Sequence, residues 1–230
     1  MRMAIVVAHA GADCIGEALL SWGGYVPVLV EDGRNGILNA YQTGLHAAKL
    51  RDIELLAYLH DDLIIQEGYW YERVYDEFDD PQVGLVGFGG ATEHCHPHLY
   101  EVPYHYSNLG RSNFLSNMEF AEAHGKRFEG SCDVAVLDGF SLIVRRELLE
   151  KAGGWPLNKL DYIGYDYWLC CMAHRLGYKI RMVGVACNHL GGRTYVKMGM
   201  VDRQDHWQKF LDAHEYIYNE FRDALPWPRR

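Results

Sequence analysis

The 230-residue chain carries 22 Lys and Arg against 31 Asp and Glu, for a formal net charge of −9 with His neutral, and 49% of it is apolar. That length suits one large domain, the apolar share supports a sizeable core, and the acidic balance argues against a broad footprint on nucleic acid or anionic lipid. No apolar stretch approaches membrane-spanning length, the apolar run near the N-terminus is too short for a signal peptide, and six cysteines without a CxxC pair read as free thiols, so a soluble, cytoplasmic protein is expected.

Residues 3–8 are rich in β-branched side chains and predict a first strand, followed by a helical pattern over 13–22 that stops at Gly23 and Gly24. A second strand over 25–30 leads into Glu31-Asp32-Gly33, and Ile37, Leu38, Tyr41, Leu45 and Ala48 then recur at helical spacing. The strand over 54–59 is a continuous apolar run of the kind covered on both faces. It meets His60-Asp61-Asp62 before Leu63, Ile64 and Ile65 resume the apolar pattern. An unpaired buried carboxylate is strongly disfavoured, so either the strand ends in a cleft or the triplet binds something. A helix over 69–78 and a strand over 83–88 continue the alternation, which implies a mostly parallel sheet with helices on its faces. Ligands bind beyond the carboxyl ends of strands in such sheets, and Asp32 and the triplet both stand near such ends.

From 89 to about 132 the pattern is irregular, rich in Gly, His, Asn and Tyr, and too long for an ordinary connector, so it is read as a functional loop. Strands are predicted over 133–137 and 140–144, a short helix from Arg146, a helix over 164–176 closed by Gly177, a last strand over 178–187 and a charged terminal helix over 202–222. There is no internal repeat and no clear linker, which favours a single domain.

Three constellations carry chemistry. An imidazole and carboxylates at the end of a strand, as in His60-Asp61-Asp62, suit Mn²⁺ or Mg²⁺ holding a diphosphate, because the ion neutralises the leaving group. The plainer alternative makes His60 a core imidazole and Asp61 a capping residue. His189 follows the last strand and precedes two glycines, Arg193 and Lys197. A histidine before a flexible basic loop could complete a metal–diphosphate clamp, or it could be a polar turn residue. The run Glu93-His94-Cys95-His96-Pro97-His98 has the residue types of a zinc site but not a common zinc spacing, and a loop contacting an acceptor is the favoured reading. Nearby Tyr100, Tyr104 and Tyr106 either stack on a sugar or base or pack the loop.

The stretch VLDGFSLIVRRELLEKAGGW at 136–155, followed by YIGYDYWLCCMAHRLGYKI at 162–180 and then His189, resembles the second half of family 2 glycosyltransferases of the GT-A fold. The first half agrees. Glu31-Asp32-Gly33 is similar to the family's V-D-D-G corner, residues 39–44 (NAYQTG) resemble the A-Y-N-x-G helix of a subgroup that uses H-x-D in place of D-x-D, and His60-Asp61-Asp62 matches that H-x-D. The resemblance implies an α/β fold built on a mostly parallel mixed sheet flanked by helices, in one domain over 1–230. Within it, 1–90 would be the nucleotide-binding half, 91–132 a variable acceptor loop, 133–200 the acceptor and catalytic half and 201–230 the terminal helix.

Residue by residue, it implies that Asp32 holds the nucleotide base, with Ala8, His9, Glu31 and Tyr41 lining the same pocket. It makes His60, Asp62 and His189 the ligands of Mn²⁺ or Mg²⁺, and Arg193 and Lys197 diphosphate contacts. Asp61, Asp138, Gly139 and Trp155 then stand on the side of donor sugar and acceptor, and Asp166 is the general base that deprotonates the acceptor. Asp166 also suits the first turn of a helix. Three departures from the family pattern stand out: Gln42 replaces an Asn, Asp61 sits beside Asp62, and Asp166 is flanked by Tyr165, Tyr167 and Trp168 where the family often has E-D or D-x-D. The implied activity is metal-dependent, inverting transfer from a nucleotide-diphosphate sugar, UDP favoured, to a hydroxyl acceptor that is a glycan, a protein, a small molecule or a modified nucleic acid. The alternatives are a metal-dependent phosphoester hydrolase built on the same His/Asp cluster with His94 and His96, and a sugar-nucleotide-binding module without turnover.

Overall fold

The structure is a computed structural model that describes residues 1–11, 15–24, 26–92, 114–119, 121, 125–191 and 203–222. Strands β1 (Met3–His9), β2 (Val28–Asp32) and β3 (Leu55–Leu59) alternate with helices α1 (Ile15–Ser21) and α2 (Ile37–Leu50). A short strand β4 (Leu63–Ile65), helix α3 (Trp70–Phe78) and strand β5 (Val83–Gly87) follow. The stretch read as an irregular loop begins and ends in strands: β6 (Gly89–Ala91), β7 (Phe114–Ser116), β8 (Lys126–Arg127) and β9 (Ser131–Asp133). The chain continues through β10 (Val136–Leu137), β11 (Ser141–Arg145), α4 (Arg146–Ala152), α5 (Tyr165–Arg175), β12 (Lys179–Val183), β13 (Cys187–His189) and α6 (Arg203–Phe221).

Seven strands form the main sheet in the order β2-β1-β3-β11-β5-β12-β9. β1 runs parallel to β2 and β3, and β5 parallel to β12, while β11 lies antiparallel between β3 and β5 and β9 antiparallel at the edge. Successive side chains on a strand point to opposite faces, and both faces are covered. Ala4, Val6, Leu56, Tyr58, Leu142 and Val144 pack with Leu38, Tyr41 and Leu45 of α2 and with residues of α4 and α5. Met3, Ile5, Val7, Leu55, Ala57 and Leu59 pack on the other face with Trp22, Trp70, Val74 and Phe78. Burying each large side chain contributes about 1.5–3 kcal/mol relative to exposure, and β3 carries no charged residue before the chain reaches His60. Gly44 lets α2 lie close on β1, since a Cβ there would stand 2.4 Å from Cγ1 of Val6.

Two predicted strands are each divided between sheets. The strand expected over 133–137 splits into β9, at the edge of the main sheet, and β10, in a four-stranded sheet of order β10-β6-β7-β8. Its backbone changes partner in between, with the Val134 N–H bonded to the carbonyl of Ile180 and the Ala135 N–H to that of Ala91. The strand expected over 178–187 stops at Val183, and the chain turns through Gly184–Ala186 before β13 pairs antiparallel with β4. The apolar runs on either side of the triplet are likewise two strands in two sheets. β3 ends at Leu59, the His60 N–H bonds the Phe140 carbonyl at 3.1 Å, and the chain turns into β4. Among the described residues no helix is long and apolar enough to cross a membrane, and Cys132, Cys170, Cys171 and Cys187 are free thiols.

Candidate active site

The turn between β3 and β4 explains how polar residues interrupt an apolar run: each has a partner. His189, at the end of β13, lies opposite Leu63 of β4 in the ladder, so two short strands bring residues 60 and 189 together. His60 Nδ1 stands 3.3 Å from His189 Nε2, which stands 3.3 Å from an Asp62 oxygen, and His60 Nδ1 is 4.0 Å from that same oxygen. Donors about 2.1 Å from one ion and 90–110° apart lie about 3.0–3.4 Å from each other. Two of the three separations already fall there, and the third needs only a small contraction. Among the described residues, His60, Asp62 and His189 form a group whose donor atoms could hold a metal ion. Two imidazoles and one carboxylate make a set suited to a divalent ion of intermediate hardness.

The electrostatics keep these donors competent. Burial, and then the charge of His189, push the His60 pKa down to about 4, so His60 is neutral near pH 7 and has a bare nitrogen. Burial works against charge on His189, but the hydrogen bond and charge of Asp62 outweigh it and raise its pKa. Burial likewise opposes the Asp62 carboxylate, and the two histidines hold its pKa below the usual value.

Asp61 points elsewhere. Its Oδ2 meets Nδ1 of His9 at 3.0 Å, and burial raises its pKa despite that bond. His9 ends β1 beside Asp32 of β2, and Ala8 lies beside Glu31, so these residues form a row along the carboxyl edge of the sheet. Asp32 caps the turn after β2. Its Oδ1 accepts from N and Nε of Arg34 at 3.0 and 2.9 Å, and its Oδ2 accepts from a terminal guanidinium nitrogen at 2.8 Å. Those hydrogen bonds hold the Asp32 pKa down at about 2.

The tight corner Asp138-Gly139-Phe140, between β10 and β11, touches both halves of the site. Oδ1 of Asp138 accepts from the Phe140 N–H at 3.2 Å, the Phe140 carbonyl accepts from His60 N, and the Gly139 N–H donates to Oδ2 of Asp166 at 3.0 Å. The Phe140 ring stacks on His189 with centroids 5.0 Å apart. Asp166 lies in the first turn of α5, with Oδ1 accepting from the Tyr167 N–H at 2.8 Å. Burial, and then the nearby charge of Asp138, push its pKa up to about 7 despite those two hydrogen bonds. A carboxylate with that pKa is poised to exchange a proton near neutrality.

Tyr41 and Trp155, placed by sequence in the binding pocket, are buried. With Tyr58 and Tyr165 they form an aromatic cluster whose ring centroids are 4.5 to 6.1 Å apart. Gln42 reaches across to this cluster and accepts from the Trp155 N–H at 3.0 Å. Arg193, Lys197 and the 93–98 cluster lie outside the described residues. The residues that sequence reasoning missed are Phe140 and Tyr165. Both were legible only as apolar or aromatic core positions, although Tyr165 is next to the expected base.

The corner supplies a prediction of its own. A Cβ on Gly139 would stand 2.5 Å from the Tyr165 hydroxyl and 3.3 Å from Oδ2 of Asp166. Gly139→Ala should lower stability by about 1–3 kcal/mol through overpacking and cut turnover by more than its loss of folded protein. Thermal melts together with initial rates check this. A variant with wild-type melting and wild-type rate would show that the corner does not hold the site in register.

The profile of the Glycosyltransferase like family matches residues 28–210. No curated protein sequence matches the chain. Among solved structures, the mannosyltransferase PcManGT from Pyrobaculum calidifontis, in complex with GDP-Man and Mn²⁺, is similar at 18% identity and TM-score 0.53, over 98% of this chain and 72% of that one. GalNAc-T7 with UDP, GalNAc and Mn²⁺ is similar at 13% identity and TM-score 0.56, over 82% of this chain and 44% of that one. TarS 1–349 of S. aureus is similar at 12% identity and TM-score 0.53, over 96% of this chain and 72% of that one. Identities this low speak to the fold, which is the GT-A fold. Matched by the profile over well beyond half its length, the chain belongs to the glycosyltransferase-like family.

Proposed function

We propose that the protein is a metal-dependent, inverting glycosyltransferase that takes a sugar from a nucleotide-diphosphate donor, with UDP as the nucleotide. The observation that carries this reading is the convergence of His60, Asp62 and His189 on one side of the Asp138-Gly139-Phe140 corner with Asp166 on the other. A divalent ion bound by the first three would neutralise a leaving diphosphate, and the Mn²⁺ held in two of the similar structures makes Mn²⁺ the first ion to test. Asp166 accepts the proton of the acceptor hydroxyl as that oxygen bonds to the anomeric carbon. The bond from that carbon to the diphosphate oxygen breaks with its electron pair, and attack from the opposite face inverts the configuration. Asp138 and Gly139 line the space between the two groups, and Ala8, His9, Glu31 and Asp32 form the nucleotide edge.

The preference for UDP rests on Asp32. A carboxylate offers about four acceptor sites, and Arg34 takes two on Oδ1 and one on Oδ2. One remaining site fits the single imide N–H of uracil, whereas the guanine edge presents two donors.

The test is a panel of UDP- and GDP-sugars with Mn²⁺ or EDTA, scored for binding and for slow hydrolysis of the donor, with a simple phosphate ester in parallel. A UDP-sugar should bind with Mn²⁺, turn over slowly without acceptor, and lose both properties in EDTA. Faster turnover of the simple ester than of any nucleotide sugar would move the reading to a phosphoester hydrolase. Binding with no turnover under any condition would leave a sugar-nucleotide-binding module.

A further inference from the structure

β4 and β13 are three residues each and are joined by no hairpin turn, so turn geometry does not set their register. A slip of β13 by one residue would turn His189 to the opposite face of the pair, and a slip by two would carry it about 7 Å along the strand. Either takes it away from His60 and Asp62. The ladder itself cannot choose, because backbone N–H and carbonyl groups repeat at every residue. The Gln66 N–H donates to the Ala186 carbonyl at 2.8 Å and the Leu190 N–H to the Asp62 carbonyl at 3.1 Å, but a shifted ladder would offer bonds of the same kind.

A side chain that reaches one particular peptide does choose. Glu67, two residues past the end of β4, accepts through Oε2 from the Ala186 N–H at 3.1 Å. Arg73 of α3 gives one terminal guanidinium nitrogen to the two Glu67 oxygens at 2.9 and 3.0 Å and to the Gly184 carbonyl at 3.2 Å. Its other terminal nitrogen donates to the Glu129 carbonyl at 2.7 Å. None of these directions is ambiguous, since guanidinium and backbone N–H groups only donate here and carboxylate and carbonyl oxygens only accept. The Asn117 amide donates to the same Gly184 carbonyl at 3.2 Å, its oxygen being taken by Arg127 at 3.0 Å.

We propose that Glu67 and Arg73 are positioning residues that lock β13 in register on β4, and so hold His189 where it can share an ion with His60 and Asp62. The proposal rests on the metal reading of those three residues given above, and adds to it the pair that places the ligand most distant in the chain. The ion pair alone would not do this, because it joins two residues of one short segment. The bonds to Ala186 and Gly184 are what cross to the turn that leads into β13.

The test uses the full chain and titrates Mn²⁺ into unliganded protein. Glu67→Gln keeps the shape, but its single oxygen serves Arg73 or the Ala186 N–H and not both. The variant should bind Mn²⁺ about 10-fold or more weakly, the low end of the cost for a group that supports a metal ligand from outside its coordination sphere. A disulfide reads the register directly. Ile65 lies opposite Cys187 in the ladder, so Ile65→Cys can be bridged to Cys187 only in the native register. Adding Glu67→Gln to Ile65→Cys should slow that bridge several-fold under oxidised glutathione. Once formed, the bridge should return Mn²⁺ affinity to that of the oxidised Ile65→Cys single variant. A folded Glu67→Gln with wild-type Mn²⁺ affinity overturns the proposal. So does an affinity that is lost and not restored by the disulfide, which would make Glu67 a charge felt by the ion instead of a lock. Arg73→Lys, which keeps the charge and loses the fork, goes through the same measurements if Glu67→Gln fails to fold. A wild type that binds no Mn²⁺ would instead strike the metal reading, and disulfide rates alone then decide the lock, equal rates with and without Glu67 overturning it.

Discussion

Asp166→Asn should transfer sugar about two to four orders of magnitude more slowly than the wild type, with donor affinity little changed. Asp166 belongs to α5 and is held by the Gly139 and Tyr167 N–H groups, whereas the proposed metal donors come from the β3–β4 turn and β13. Loss of the base therefore falls on the chemical step. The wild-type rate should rise with pH through about 7, the value to which burial and Asp138 bring the Asp166 carboxyl, because only the ionised form accepts a proton. The variant should lack that limb. Stability moves in the opposite direction. Folded Asp166 keeps its proton to about 7 while the unfolded carboxyl loses it near 3.8, so the folded state binds more protons in that window and stability falls as pH rises through it. Asn cannot titrate, and its one side-chain oxygen satisfies only one of the two N–H donors. The variant should therefore start less stable at low pH and show a flatter decline towards pH 8. Near-normal transfer by a folded variant, or a product that retains the donor's configuration, would remove Asp166 from the base role.

Asp62→Ala should weaken UDP binding in the presence of Mn²⁺ by roughly 100-fold or more, since a ligand should cost at least as much as the 10- to 100-fold typical of an outer partner, and should change little in EDTA. Asp62 supplies the carboxylate of the three-residue donor group. It is 4% exposed, so no water-borne acid replaces it cheaply. Its removal also takes away the larger part of what raises the His189 pKa, leaving only the charge of Asp138. Isothermal titration of nucleotide with and without the ion measures both arms. An equal loss in Mn²⁺ and in EDTA would mean a damaged fold rather than a missing ligand.

Much of the first half of the chain was legible because its elements are local. The residue-54 strand reads as buried because Leu55 through Leu59 carry no charged group, and the structure leaves all five fully covered. His60-Asp61-Asp62 was conspicuous for the same reason, since charge at the end of such a run needs a partner. What stayed hidden was pairing over distance. β4 and β13 are three residues each, too short for a period, and nothing near Leu63 announces that residues 187–189 will lie against it. The division of residues 133–137 between two sheets was hidden for a related reason: Val134 and Ala135 are as apolar as Val136 and Leu137 after them, and only tertiary partners show where the ladder changes hands. The contact of Tyr165 with His60 was hidden because a tyrosine at a buried helical position satisfies the core by its ring, and the partner of its hydroxyl is far away in the chain.

The pairing of β13 with β4 also has a bearing on biosynthesis. His60 and Asp62 leave the ribosome early, but their third companion is at position 189, and loop closure across that separation must precede the contacts that reward it. A nascent chain that has emerged only through residue 186 lacks the strand that covers β4 as well as the histidine beside Asp62. Two like-charged carboxylates and an imidazole then stand at an unfinished edge, with no complete donor set for an ion to find. An ion bound by this group would therefore arrive only with the last strand, and would report that synthesis and folding of the sheet are done, rather than template them.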